Sequence, residues 1–215
     1  MYIIKKKTYK HIIKMTSFKP ELTPSIINKS KAQLNYFMTN FDFDLFLKGG
    51  TSKVVKYGEL DEKYTTFEQM LPNIKDYVII LIESQVNTGH WVCIIRNDNV
   101  FEYFDPYGYT HKKTLSFISD YMNKHVLDNT LSDLNTLVKN IKHGQKFITN
   151  KTKFQNDHYI NDVATCGRWC LARIQSFLMI NSTNEDFKKF IQSETKRLGK
   201  PSDIVILDLI PVEKK

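Results

Sequence analysis

The segment from Tyr77 to Phe104 constrains the fold more than any other. It holds three apolar runs in close succession: YVIILI over 77–82, HWVCIIR over 90–96 and VFEYF over 100–104. β-Branched and aromatic residues suit a pleated, buried surface, and runs this short between breaks read as strands. YVIILI is continuously apolar, as a buried strand is. Val86-Asn87-Thr88-Gly89 and Asn97-Asp98-Asn99 separate the runs, and Asp105-Pro106-Tyr107-Gly108 ends the third. Gly, Asn, Asp and Pro there supply turns, so the block predicts an antiparallel meander.

Helical patterns flank the block. One runs over 22–40, with Thr23-Pro24 as its start, and a short one over 65–70 stops at Pro72. Others cover 112–126, 129–141, 164–180 and 185–197. Residues 145–149 read as a further strand, and 202–209 as helix or strand. Gly49-Gly50-Thr51-Ser52 marks a loop. Strands in a block with helices on either side define an α+β class: a central, mostly antiparallel sheet packed against a helix that begins near Cys166.

At 215 residues, with 41% hydrophobic and 25% charged residues, the chain can bury a sizeable core. Its apolar stretches are too short to cross a bilayer, so no membrane is expected. Lysines interrupt MYIIKKKTYKHIIKM before a signal region forms, so secretion is not expected. The three cysteines lack the spacing of a disulfide framework and fit a reducing compartment. The net charge of +8 is uneven: residues 1–20 form a basic extension ahead of Glu21, and Lys139, Lys142, Lys146, Lys151 and Lys153 fall in an acid-free stretch. Such stretches are either solvated faces or a salt-sensitive, non-specific DNA-contacting surface. Residues 21–215 then form a single domain.

Cys166 lies at the start of a helical pattern, with Thr165 as a candidate N-cap. The amides and positive dipole end there favour a thiolate, the attacking form. Gly167 offers an unobstructed N–H and room for a substrate backbone. Taken alone, a cysteine is more often a buried core residue. His90 opens a strand after a polar loop, and Asp105 closes the next strand. If the two strands pair around residues 97–99, imidazole and carboxylate meet at the hairpin's open end, where the acid holds the imidazole tautomer. Gln155 is the favoured amide donor to a developing oxyanion, ahead of Asn156 and Asn161. A zinc site built from His90, Cys93, Cys166 and Cys170 is disfavoured, because strand positions three apart face opposite ways. Cys93 and Cys170 read as core residues.

The order His, Asp, Gln, Cys, carried by Gly89-His90-Trp91-Val92, Phe104-Asp105-Pro106-Tyr107-Gly108 and Thr165-Cys166-Gly167-Arg168-Trp169, resembles the adenovirus-type cysteine maturation proteases. These share a clan with the SUMO-specific proteases. Val54-Val55-Lys56-Tyr57-Gly58-Glu59-Leu60 is also similar to a segment in proteases of virophages and Polinton-type DNA elements. The resemblance implies a cysteine endopeptidase with Cys166 as nucleophile, His90 as general base then acid, Asp105 as orienter and Gln155 as oxyanion donor. Gln155 stands farther from Cys166 than is usual in that family. The implied substrates are capsid and other virion precursors, cut after small residues such as Gly-Gly. No cofactor is required, although DNA or a peptide activator fits the family, some of whose members bind DNA. A monomer acting in the virion and in the host cytoplasm or nucleus is implied. Rival readings are a SUMO- or ubiquitin-like deconjugase, an acetyltransferase using the same His–acid–Cys order, and a non-enzymatic nucleic-acid-binding protein.

Overall fold

The computed structural model describes residues 23–47, 53–118, 133–156 and 163–212. The basic extension at 1–20, the loop at 49–52, Asn161 and the parts of the 112–126 and 129–141 helical patterns that fall within 119–132 lie outside these residues.

The meander forms as the sequence predicts. Strands β2 (Tyr77–Gln85), β3 (Thr88–Asn97) and β4 (Val100–Phe104) pair antiparallel, with Ile79 opposite Cys93 and Cys93 opposite Phe104. Asp98, at φ 54°, turns β3 into β4, and Asn87, at φ 58°, turns β2 into β3. A register shift between Glu83 and Gln85 lets the Glu83 carboxylate accept the Asn87 N–H at 2.7 Å. Gly89 faces that irregularity, where a Cβ would overlap the Ile82 carbonyl oxygen.

Two further strands extend the sheet, giving the order β1-β2-β3-β4-β5. The expected strand at 145–149 is β5 (Lys146–Thr149), and β1 (Lys53–Lys56) is added at the other edge. Both outer strands pair parallel to their neighbours. The sheet is therefore mixed: the expected antiparallel pairings form its centre and parallel ones its margins. Parallel neighbours need long crossovers, which the helical segments before β2 and after β4 supply.

Because β2 is apolar at every position from Tyr77 to Ile82, both of its faces need cover there. Tyr77, Ile79 and Leu81 join one core cluster, and Val78, Ile80 and Ile82 the other. On the first face lie α2 (Asn40–Phe46), α7 (Cys166–Ile180), α8 (Asn184–Leu198) and α9 (Ser202–Leu209). On the second lie α3 (Leu60–Lys63), α4 (Phe67–Met70) and α6 (Asp133–Lys139). Another short helix, α5 (His111–Thr114), follows the turn after β4. The opening helix, α1 (Pro24–Leu34), starts where expected: the Thr23 hydroxyl accepts the Ile26 N–H, and Ile27 and Leu34 pack on α9. Residues 202–209, open between helix and strand in the sequence, form a helix that buries Val205 and Ile206. Each fully buried Leu, Ile or Phe contributes about 1.5–3 kcal/mol of transfer free energy.

Helix α7 occupies the centre of the first layer. Trp169, Cys170, Leu171 and Ile174 are buried along it. Arg173 crosses to β4, where Nε and Nη2 donate to the two Glu102 oxygens at 2.8 Å each, and Ser182 takes the remaining guanidinium bonds. A bidentate pair of this kind fixes both distance and orientation.

Candidate active site

Strand β3 carries His90 opposite Ile82 at the open end of the hairpin, and β4 delivers Asp105 immediately beyond its last residue. Both side chains are buried, and His90 Nε2 lies 3.1 Å from Asp105 Oδ1. Several groups hold the acid. The Tyr107 N–H donates to Oδ1 at 2.7 Å, and the Thr114 hydroxyl donates to Oδ2 at 2.6 Å. Asn150, just after β5, binds the backbone on both sides: its Oδ1 accepts the Asp105 N–H and its Nδ2 donates to the Asp105 carbonyl, each at 2.7 Å. The parallel edge strand thus fixes the carboxylate that the meander positions.

The Tyr107 ring stacks on the imidazole with centroids 4.8 Å apart and planes 20° from parallel. Gly108, at φ 72°, closes the turn by donating its N–H to the Asp105 carbonyl at 2.8 Å. A Cβ there would also press on the Thr152 backbone at 2.9 Å. The Asp-Pro-Tyr-Gly turn therefore supplies the acid, a lid on the imidazole and a bond to the acid.

Cys166 is the first residue of α7 and is buried. It makes a side-chain hydrogen bond with His90. With Nε2 directed to Asp105, Nδ1 is the ring nitrogen left for the sulfur. Burial works against the imidazolium, but the Asp105 charge and hydrogen bond, joined by those of Cys166, outweigh it and push His90 up to about 9. The sulfur, imidazole and carboxylate expected to meet from three distant parts of the chain do meet.

Two local expectations around the cysteine are corrected. Thr165 takes the N-cap position expected of it, its carbonyl accepting the Trp169 N–H at 3.1 Å, but its side chain does not cap: the backbone sits at φ −90°, ψ 0°, and the hydroxyl donates to Asp203 Oδ1 at 2.7 Å. Helix α7 therefore begins without a side-chain cap. Gly167 is not open to a substrate backbone either. A Cβ on it would lie 2.9 Å from the Met38 Cβ, so the missing side chain makes room for Met38. The Met38 carbonyl in turn accepts the Trp91 indole N–H at 3.0 Å, tying the segment before α2 to the residue after His90.

Gln155 reaches the same region. Its backbone N–H donates to the Pro106 carbonyl at 3.0 Å. Its side-chain Nε2 donates to the Val163 carbonyl at 2.9 Å and to the Tyr107 hydroxyl at 3.2 Å, while Oε1 is buried with no partner among the described residues. Asn156, whose side chain was the alternative donor, directs its backbone N–H to Asp203. The supporting roles of Asn150, Thr114 and Asp203 were not legible, because nothing local in the sequence pairs them with residues 9 to 45 positions away. Tyr107 belongs to the Phe104–Gly108 motif, but its stacking on His90 depends on the fold.

Cys93 and Cys170 are free, buried thiols of the core, with the Cys170 thiol donating to the Trp91 carbonyl at 3.4 Å. Among the described residues no helix is long and apolar enough to cross a membrane. Of the lysines in the second basic stretch, Lys142 pairs with Glu68 at 2.7 Å.

Fold and site define an α+β protein with helices on both faces of a mixed five-stranded sheet and a buried Cys–His–Asp constellation at the end of its central hairpin. No protein-family model matches the chain. It is 30% identical over 164 residues to the uncharacterized protein V9 of the Sputnik virophage, an alignment spanning 74% of this chain and 87% of V9. The chain belongs to the family of this virophage protein.

Proposed function

We propose that the protein is a cysteine endopeptidase that processes virion precursor proteins. The observation that carries the reading is the contact chain from Cys166 through His90 to Asp105, with the imidazole pushed up to about 9. An imidazolium that persists at neutral pH is a partner for a thiolate and a proton source for a leaving amine.

In this reading the Cys166 sulfur attacks the scissile carbonyl and forms a tetrahedral oxyanion. His90 then delivers its proton to the departing amine, leaving an acyl thioester on Cys166. Water, deprotonated by His90, attacks the thioester and releases the acid product and the thiol. Asp105 keeps Nε2 as the donor and stabilises the charged ring. The donors for the oxyanion are Gln155 Nε2 and the uncapped N–H groups at the start of α7. Both Gln155 amide hydrogens have partners, so substrate binding must exchange the longer bond, to Tyr107, for one to the oxyanion.

Membership of a virophage family gives the protein a viral origin; capsid or other virion precursors as substrates, and action in the host cell and the assembling particle, are part of this proposal. Incubating the parent chain and Cys166→Ala with candidate precursors, and mapping new termini by mass spectrometry, tests the proposal. Cleavage by the parent alone is the expected result; equal cleavage by both removes Cys166 from the chemistry.

A further inference from the structure

We infer that Asp203 is a positioning residue that holds the oxyanion-binding loop and the nucleophile in one frame. The inference rests on the peptidase reading above. Asp203 lies in the first turn of α9 and is completely buried. An acid there ordinarily serves its own helix, through the dipole or by capping. Here both oxygens serve residues outside it. Oδ1 accepts the Thr165 hydroxyl at 2.7 Å and the Trp169 indole N–H at 3.3 Å. Oδ2 accepts the Asn156 N–H at 3.0 Å.

These donors belong to the two parts that the chemistry must align. Thr165 immediately precedes Cys166, and Trp169 lies one turn into the same helix. Asn156 immediately follows Gln155. Ser202 completes the bracket: its hydroxyl donates to the Phe154 carbonyl at 2.9 Å, on the other side of Gln155. The start of α9 thereby grips the backbone on both flanks of Gln155 while holding the residue before the nucleophile. The unusual distance in sequence between Gln155 and Cys166 is spanned by one carboxylate. Oxyanion donors act only when held in place before the reaction, so loosening this grip removes transition-state stabilisation, while Arg173 and Glu102 still hold α7, and with it Cys166, against the sheet.

The test uses the full chain, a fluorogenic peptide amide ending in Gly-Gly, the corresponding peptide aldehyde and iodoacetamide. The aldehyde adds the thiol across its C=O and places an oxyanion in the hole, whereas alkylation by iodoacetamide reports the thiolate alone. Asp203→Asn should lower kcat by about 10²–10³-fold and weaken the aldehyde, per titrated active site, to a similar degree. KM and the rate and pH profile of Cys166 alkylation should stay within about threefold of the parent. A merely structural role would reduce the number of titratable sites and leave aldehyde affinity per site unchanged, which overturns the inference. Unchanged kcat overturns it as well. Should Asp203→Asn fail to fold, Ser202→Ala, which removes only the Phe154 bond, should still lower kcat with normal alkylation; an unaltered kcat there counts against the inference. A parent chain that is alkylated normally but leaves the peptide uncut removes the peptidase reading and this inference together. A cutting parent with a fully active Asp203→Asn removes the inference alone.

Discussion

In the proposed chemistry His90 is the residue on which the reaction turns, because its imidazolium is the proton source for the leaving amine. Its pKa in the folded protein, about 9, lies above the ordinary 6.5, so its contribution to stability is fully present below about pH 6.5 and is lost as pH rises through about 9. The same titration should set the alkaline limb of kcat/KM near pH 9, since deprotonated imidazole cannot protonate the leaving amine. Asp105→Asn removes the carboxylate charge that raises the imidazole and places an amide where the ring N–H donates. Histidine NMR should then show a lower His90 pKa, with the alkaline limb shifting down and cleavage falling by about 10²–10⁴-fold. An unshifted His90 titration in that variant would contradict the role given to Asp105. The meeting of Cys166, His90 and Asp105 was foreseeable in the sequence because each sits at a strand or helix end within a motif. The Thr165 side-chain cap and the open Gly167 were misjudged because the residues that meet them, Asp203 and Met38, come from remote segments.

At the level of elements, the site depends on two attachments: the β2–β3 hairpin that presents His90 and the helix that presents Cys166. Gly89→Ala would force a Cβ into the Ile82 carbonyl, so the hairpin must shift its register or break hydrogen bonds beside His90. Thermal unfolding should show a loss of several kcal/mol, well beyond the roughly 0.5–1 kcal/mol that a Gly-to-Ala exchange changes in unstrained backbone. A midpoint equal to that of the parent would mean the approach is not tight. Helix α7 is joined to β4 through Arg173 and Glu102. Arg173→Met leaves Glu102 buried without its cation and should cost about 3–5 kcal/mol by chemical denaturation. Adding Glu102→Leu should recover much of that loss, and a double variant no more stable than the single one would assign the effect to packing. The central strands were legible because apolar runs and turn residues coincide. Strand β1 was not, since the four residues of KVVK carry too short a pattern to separate from a loop.

For the whole molecule, the continuous apolarity of residues 77–82 already required cover on both faces, and the structure supplies it with one helical layer behind the sheet and one carrying Cys166. The local patterns indicated that helices flank the strands but not which face each one covers, because that choice depends on long-range packing. The layered arrangement places the cysteine helix, the hairpin end and the start of α9 around one point, and the account stands on the reactivity at that point. The most direct measurement is labelling of the full chain at pH 7 with a thiol-reactive peptidyl probe ending in Gly-Gly, followed by peptide mapping of Cys93, Cys166 and Cys170. Modification confined to Cys166, and lost in His90→Ala, is the expected result. Labelling spread over the three cysteines, or unaffected by the loss of His90, would contradict it.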